Sequence, residues 1–388
     1  MDISQIINEL GEERENYFNA VSPPIMQTSN FVFNKVDDLR KLFEDEMSGY
    51  IYSRGLNPTI DILRKKLAAL DGAEDCLVFN NGAAAIFAGV LANVKAGDHI
   101  VSVAKPYAWS QKMFDNILPR FGVSTTYVDG RVAENYFNAT KSNTTFYYLE
   151  SPNSWDFALQ DIQAIAGFAK SRNIVTLIDN SYCSPLYQRP IEMGIDLSMQ
   201  TATKYISGHS DTLGGVLSGS YVMTKKIFDS EYLNIGSGIQ PFNAWLLIRG
   251  LRTMPARLER ISKTTRQVVS FMKEHPKVEK IIFPFDESFS QFNLARKQMK
   301  DALGLFTFIL RSRKMEDIVR FCESLQHIMM AVSWGGHESL VIPKCAGIKP
   351  ADFDPANEEH CYIRMYTGLE EADYLIKDLG QALDQLSL

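Results

Sequence analysis

Between Ile174 and Gly215 the chain carries one carboxylate and one lysine to the ends of two apolar runs, and this spacing constrains its fold more than any other stretch. Ile174 to Ile178 is mostly apolar and stops at Asp179. Ile195 to Met199 leads into Thr201, Ala202, Thr203 and Lys204. Short apolar runs that end in polar and turn residues read as buried strands of an α/β sheet, where ligands sit beyond the carboxyl ends of the strands. Asp179 and Lys204 are therefore expected on one rim.

A lysine kept partly desolvated beside Ala202 and Tyr205 can lose its proton and attack a carbonyl, which an exposed lysine at neutral pH rarely does. An aspartate on the neighbouring strand suits the pyridinium nitrogen of pyridoxal 5′-phosphate (PLP), because its charge keeps that nitrogen protonated. Spacing alone equally allows an ordinary buried ion pair between Asp179 and Lys204, since such pairs also perturb titration.

The residues themselves go further. Asp179-Asn180-Ser181, followed by the run from Thr201 to Asp211 (TATKYISGHSD), resembles the signature of the Cys/Met-metabolism family of PLP enzymes. That family includes cystathionine β- and γ-lyases, cystathionine γ-synthase, methionine γ-lyase and O-acetylhomoserine sulfhydrylase. The resemblance implies an α/β chain of the PLP-dependent transferase type (fold type I), with a large mostly parallel sheet domain and a smaller α+β C-terminal domain. It further implies that Lys204 carries the PLP, that Asp179 pairs with the ring nitrogen, and that the Thr201 and Thr203 hydroxyls help hold the phosphate.

Composition fits this class. A chain of 388 residues has two domains as its natural prior, and 45% hydrophobic content provides ample core. A formal charge of -6 without a basic block argues against a nucleic-acid partner. No apolar run approaches the roughly 18 residues of a membrane span, and the start MDISQIINELGEERE lacks the pattern of a signal peptide, so a cytoplasmic location is expected. The five cysteines show no metal-type spacing and read as free buried thiols, and the six histidines form no cluster; no metal is expected.

Taken in order, residues 1–50 read as an irregular arm, with Val21 to Pro24 and Thr28 to Phe33 extended; in the family this region reaches onto a neighbouring subunit. Asn57 then caps a helix, Pro58 suits its first turn, Ile60, Leu63, Leu67 and Leu70 form its apolar stripe, and Gly72 ends it. YSRxxNPT, from Tyr52 to Thr59, resembles the motif whose Tyr and Arg, here Tyr52 and Arg54, reach the phosphate in the adjacent subunit. The enzyme is then at least a dimer, and a homotetramer is expected. Strand Cys76 to Phe79, the turn Asn80-Asn81-Gly82 and a small-residue helix follow. A glycine opening a helix lets backbone N–H groups approach an anion, and the amides of Gly82 and Ala83 match the family's phosphate grip. After strand His99 to Val103, Pro106 is expected to start a helix with Tyr107 on its first turn, and Tyr107 matches the tyrosine that stacks on the PLP ring. Strand Phe146 to Leu149 ends at Glu150, and Ser154 stands where relatives carry the Asn that contacts the ring hydroxyl, so either Asn153 or Ser154 takes that contact.

The PLP-binding domain is expected over 51–250 and the C-terminal domain over 251–388, with Arg-Gly-Leu-Arg-Thr, 249–253, as a hinge before a long helix from Pro255. Arg364 lies in a short apolar strand, where an unpaired guanidinium is costly; a local acid would satisfy it, while the family's equivalent arginine grips the substrate α-carboxylate.

Ser333-Trp334-Gly335-Gly336-His337-Glu338-Ser339-Leu340 is similar to the SWGGYESL of bacterial cystathionine β-lyases, whereas γ-acting relatives mostly show leucine at the place of Trp334. Leu303 to Phe308 likewise resembles their SGLFSF. The resemblance thus implies a carbon–sulfur β-lyase that cleaves L-cystathionine or related cysteine S-conjugates to a thiol such as homocysteine, pyruvate and ammonia. Lys204, Tyr107 and Tyr52 are its expected catalytic residues, and Arg364, Ser333 and Trp334 its expected substrate ligands. A γ-acting lyase or synthase is the alternative, and a PLP-binding regulator without turnover a third reading.

Overall fold

The computed structural model describes residues 1–387 and divides the chain into two compact units. The first comprises Met1–Pro152, Leu159–Ser207 and Asp211–Thr253, and the second Asn153–Ala158, Gly208–Ser210 and Met254–Leu388.

The first unit is built on seven strands: β1 (Asp75–Phe79), β2 (His99–Val103), β3 (Ser124–Val128), β4 (Thr144–Glu150), β5 (Val175–Asp179), β6 (Leu197–Thr201) and β7 (Gly215–Gly219). Their order is β1-β7-β6-β5-β4-β2-β3, and all pairings are parallel except those of β7, which runs antiparallel to both β1 and β6. Parallel neighbours need a long crossover, usually a helix. Residues 202–214 hold no helix, so the chain returns beside β6 in the opposite direction. Strands β1, β2, β4, β5 and β6 therefore end at one edge, and Asp179 is the last residue of β5.

The helix Pro58–Asp71 forms as its sequence requires. The Asn57 side chain accepts from the Thr59 amide at 3.0 Å, and Gly72 ends the helix at φ 69°. Ile60, Leu63, Leu67 and Leu70 are all buried, each worth about 1.5–3 kcal/mol of apolar transfer. Asn57 and Thr59 also brace the chain upstream of them. Asn57 Nδ2 donates to Met26 O at 2.8 Å and Thr59 Oγ1 to Pro24 O at 3.0 Å. Residues 20–33 form no helix or strand, and one bridge joins Asn30 to Tyr52.

The N-terminal arm holds more order than its sequence announces. It contains the helices Ile3–Asn8 and Val36–Glu44, too short for their periodicity to stand out. Lys66, wholly buried, donates to the carbonyls of Ile6 and Ile7 at 2.9 and 3.1 Å and pairs with Glu12 at 3.1 Å. Arg252 and Arg14 reach the same carboxylate, each at 3.0 Å.

Residues 249–253, expected as a hinge, are helical, and the first unit ends at Thr253. One helix runs unbroken through Pro241–Glu274, with Pro255 inside it. Gly250 serves close approach, since a Cβ there would run into the carbonyl oxygens of Ile206 and Ser207.

The second unit carries β8 (Val278–Ile282), β9 (Leu305–Leu310), β10 (Met329–Met330), β11 (Leu340–Pro343) and β12 (Ile363–Tyr366), in the order β10-β11-β12-β9-β8. All pairings are antiparallel except β10 with β11. Helices Met315–Ser324 and Ala372–Asp384 contribute buried apolar faces.

Among the buried acids of the first unit, Asp71 is the most enclosed. Asp71, with no exposed surface, accepts from Gln200 Nε2 at 2.6 Å through Oδ1. Its Oδ2 and the hydroxyls of Ser198 and Ser218, which face each other across β6 and β7, are buried without hydrogen-bond partners among the described residues. Burial pushes the Asp71 carboxyl up to about 7, against the smaller pull of Ser218, Arg189 and Gln200. The folded state thus takes up a proton that the unfolded chain releases, and this stabilisation is lost as pH rises from the ordinary 3.8 through about 7. Asp71→Asn keeps the acceptor for Gln200 and adds a donor toward the serines. The variant should gain melting temperature on the parent as pH rises from about 5 to about 8; equal slopes in calorimetry would show that Asp71 does not hold that proton.

Candidate active site

The edge where β1, β2, β4, β5 and β6 end gathers most of the residues singled out in the first unit. Asp179 Oδ1 accepts from the Ser181 amide at 2.9 Å, and the Ser181 hydroxyl accepts from the Thr201 amide at 2.7 Å. Ser181 therefore ties the end of β5 to the end of β6. Beyond Thr201 the chain turns. Ala202 N donates to Gly214 O at 2.8 Å, the Thr203 hydroxyl accepts from Gly214 N at 3.2 Å, and Lys204 N donates to Thr201 O at 3.3 Å. These bonds set Lys204 within electrostatic reach of Asp179. Burial drives the Asp179 carboxyl up, while Ser181 and Lys204 draw it down. Asp179 makes no ion pair within 4 Å among the described residues, so its buried charge lacks a close cation from this chain.

The helix Gly82–Leu91 points its N-terminus at the same edge. Asn81 caps it, its side chain accepting from Ala84 N at 2.8 Å. The amides of Gly82 and Ala83 lie in the first turn, where no intrahelical acceptor exists. A Cβ on Gly82 would come 2.8 Å from Thr201 Cβ, closer than side chains pack. Only glycine lets this turn lie against the strand end that carries Thr201 and Thr203.

Tyr107 does not sit on the first turn of a helix. The helix is Ala108–Lys112, and Tyr107 precedes it at φ -43° and ψ 131°. Its amide donates to the Glu150 carboxylate at 2.5 Å, which outcompetes a helical start at Pro106. Burial raises the Tyr107 phenol, and the charges of Asp179 and Glu150 raise it further.

Tyr52 and Arg54 are exposed, the tyrosine by 50%, with the Arg54 guanidinium 5.8 Å from the Tyr52 ring centre. Their loop is held by Ser53, whose hydroxyl donates to Thr28 O and whose amide donates to Ser29 O.

Within the second unit, Arg364 on β12 donates from Nη1 to Ser154 O at 3.0 Å and lies 4.8 Å from the centre of the Trp155 ring. Lys344 approaches the same ring at 4.3 Å. Asn153 is buried and its Nδ2 has no partner among the described residues. Ser333 holds φ 84°, an unusual conformation for a residue other than glycine, and both Ser333 and Trp334 are half-buried.

Comparison with known proteins decides the family. The profile of the family described as Cys/Met metabolism PLP-dependent enzyme matches residues 4–384. The chain belongs to this family. It is 35% identical to an L-methionine gamma-lyase of Treponema denticola, over 96% of this chain and 94% of that one. It is 32% identical to a cystathionine gamma-lyase of Rattus norvegicus, over 87% and 86%, and 28% identical to an L-alanine/L-glutamate racemase of Wolbachia pipientis, over 100% and 98%. The chain is thus a PLP-dependent enzyme of Cys/Met metabolism. Two of these relatives are named γ-lyases, so the β-lyase reading of the sequence loses its support to the γ-acting alternative.

The residues of the first unit fit PLP. Asp179 is a buried carboxylate without a close cation, as a protonated ring nitrogen requires, and the turn at Gly82 offers free amides for a phosphate beside two threonine hydroxyls. Among the described residues, no group of three or more His, Cys, Asp and Glu side chains is placed to hold a metal ion, and no helix is long and apolar enough to cross a membrane.

Sequence reasoning passed over Ser181 and Glu150. The signal for Glu150 was present, since it ends the apolar run of β4 as Asp179 ends that of β5, and the two are register partners. Gly82→Ala should push Thr201 from the turn, a strain of about 1–3 kcal/mol, and weaken PLP binding roughly tenfold. Titration of the PLP-free protein measures this, and unchanged affinity would remove the turn from the phosphate site.

Proposed function

We propose that this chain is a PLP-dependent γ-lyase that breaks the Cγ–S bond of L-methionine, consuming one water and releasing methanethiol, 2-oxobutyrate and ammonia. The observation that carries this is the identity of 35% to a methionine gamma-lyase across 96% of the chain. The likeness of Ser333 to Leu340 to β-lyases covers one octapeptide and weighs less. L-Cystathionine is the second candidate substrate, favoured by the cystathionine gamma-lyase relative.

Lys204 is the residue assigned to hold the cofactor covalently, Asp179 to keep its ring nitrogen protonated, and Gly82, Ala83, Thr201 and Thr203 to hold its phosphate. When bound, PLP supplies an electron sink for the charge that develops on Cα. Tyr52 and Arg54, both exposed in the single chain, are assigned to the phosphate of a second copy's site, which makes the working unit at least a dimer. Arg364 is assigned to the substrate carboxylate, with Ser333 and Trp334 beside the substrate. The guanidinium suits that task because its planar fork matches a carboxylate.

γ-Chemistry moves more protons than β-chemistry. Lys204, once freed, takes the Cα proton and also shuttles a Cβ proton, which β-elimination does not require. Tyr107, 40% exposed, has its phenol raised by partial burial and by the charges of Asp179 and Glu150, and it is the acid available to the departing sulfur, with Tyr52 as its alternative.

The test is to incubate the purified protein and PLP separately with L-methionine and L-cystathionine and to identify the products by mass. 2-Oxobutyrate with methanethiol from methionine is expected. Pyruvate and homocysteine from cystathionine, with no reaction on methionine, would restore the β-lyase reading. Racemised L-alanine without keto acid from either sulfur substrate would overturn both. Lys204→Ala should lose turnover by at least about a thousandfold together with the absorbance of lysine-linked PLP.

A further inference from the structure

Glu150 is a buried acid that the assignment of roles above leaves unused. It is the last residue of β4, 4% exposed, and its register partner on β5 is Asp179. Two carboxylates thus end adjacent strands side by side, an arrangement that costs free energy unless each has work to do. Asp179 has the ring nitrogen. Glu150 instead faces a backbone amide, accepting from Tyr107 N at 2.5 Å.

The segment that receives this bond departs from regular backbone geometry. Lys105 stands at φ 55°, Pro106 has no amide to donate, and Tyr107 is extended ahead of a helix of five residues. No side chain caps that helix start. Two ties from β4 compensate. Ser110 meets the Tyr148 hydroxyl at 3.0 Å, and Glu150 holds Tyr107 two residues further along the same strand face. Glu150 is itself braced, since its amide donates to Gln160 Oε1 at 3.0 Å, and Gln160 N donates to Ser151 Oγ at 3.0 Å. Gln160 has no exposed surface, so the brace has little freedom to yield.

We propose that Glu150 is a positioning residue, whose carboxylate fixes the Tyr107 backbone and so holds the phenol of Tyr107 at the rim beside Asp179. The consequence for the reaction rests on the role given to Tyr107 above, whereas the geometric part does not. The bond is charge-assisted and buried, which makes it stronger than an ordinary amide contact. A side chain of the same reach with an uncharged acceptor oxygen should preserve the position, while a carboxylate one methylene shorter should not reach.

The variants Glu150→Gln and Glu150→Asp separate these cases in the full-length protein. In the PLP-free state, hydrogen exchange of the Tyr107 amide, read by mass spectrometry on a peptide spanning 104–112, should quicken about tenfold in the aspartate variant and stay within about threefold of the parent in the glutamine variant. A peptide from 144–149 should exchange as in the parent in both, reporting an intact β4. With PLP and L-methionine, kcat should fall with the aspartate variant far more than with glutamine, while KM changes little. Unchanged exchange at Tyr107 in the aspartate variant would overturn the proposal, as would equal loosening in both variants. The role of Tyr107 is checked separately with Tyr107→Phe: unchanged kcat there, alongside quickened exchange in Glu150→Asp, would sink the phenol as acid and leave the positioning by Glu150 standing.

Discussion

A carboxylate buried without a close cation is the constraint around which the first unit is arranged. Asp179 ends the central strand β5, almost free of solvent, and a charge in that position is tolerable only if something satisfies it. The chain answers partly, with the Ser181 amide on one side and the field of Lys204 on the other. The remainder of the charge is what the proposed pairing with a protonated ring nitrogen would satisfy. Ser181 does double duty, because the hydroxyl that accepts from Thr201 also sets where the loop to Lys204 begins.

The same economy holds further from the site. The Asn-Pro-Thr triplet at 57–59 starts a helix and, through the Asn57 and Thr59 side chains, ties down the backbone at Pro24 and Met26. Glu12 and Lys66, both buried, meet the half-buried Arg252 and Arg14 and fasten the N-terminal helix to the body of the unit. Such a cluster is weak evidence for stability, since desolvating the charges offsets much of their attraction. What it specifies is where the arm lies.

Much of the fold was legible in the chain, and the reasons are local. Pro58–Asp71 was bounded by its own cap, proline and glycine, and β2 and β5 by apolar runs with polar ends. The direction of β7 was not legible, because an apolar pentapeptide reads alike in either orientation and only the helix-free return from Thr201 decides it. The helical course through 249–253 was not legible either, although the first unit ends at Thr253. Gly250 stands in that helix because two carbonyls of the 206–207 turn leave no room for a Cβ. At the site, Asp179, Lys204, Thr201 and Gly82 stood out through strand ends and turn chemistry. Glu150 ended its apolar run in the same way, but nothing in the sequence says that an amide 43 residues upstream will meet it.

The sequence by itself therefore determined the class of the sheet, the rim on which Asp179 and Lys204 meet, and the family with its cofactor, because strand ends, caps and short motifs are encoded by neighbouring residues. The tertiary structure alone decided which partners those residues take: Tyr107 with Glu150, Asp71 with Gln200, Arg364 with Ser154 and Trp155. Such pairings join positions far apart in the chain, and they follow from register and burial, which emerge only once the strands have packed.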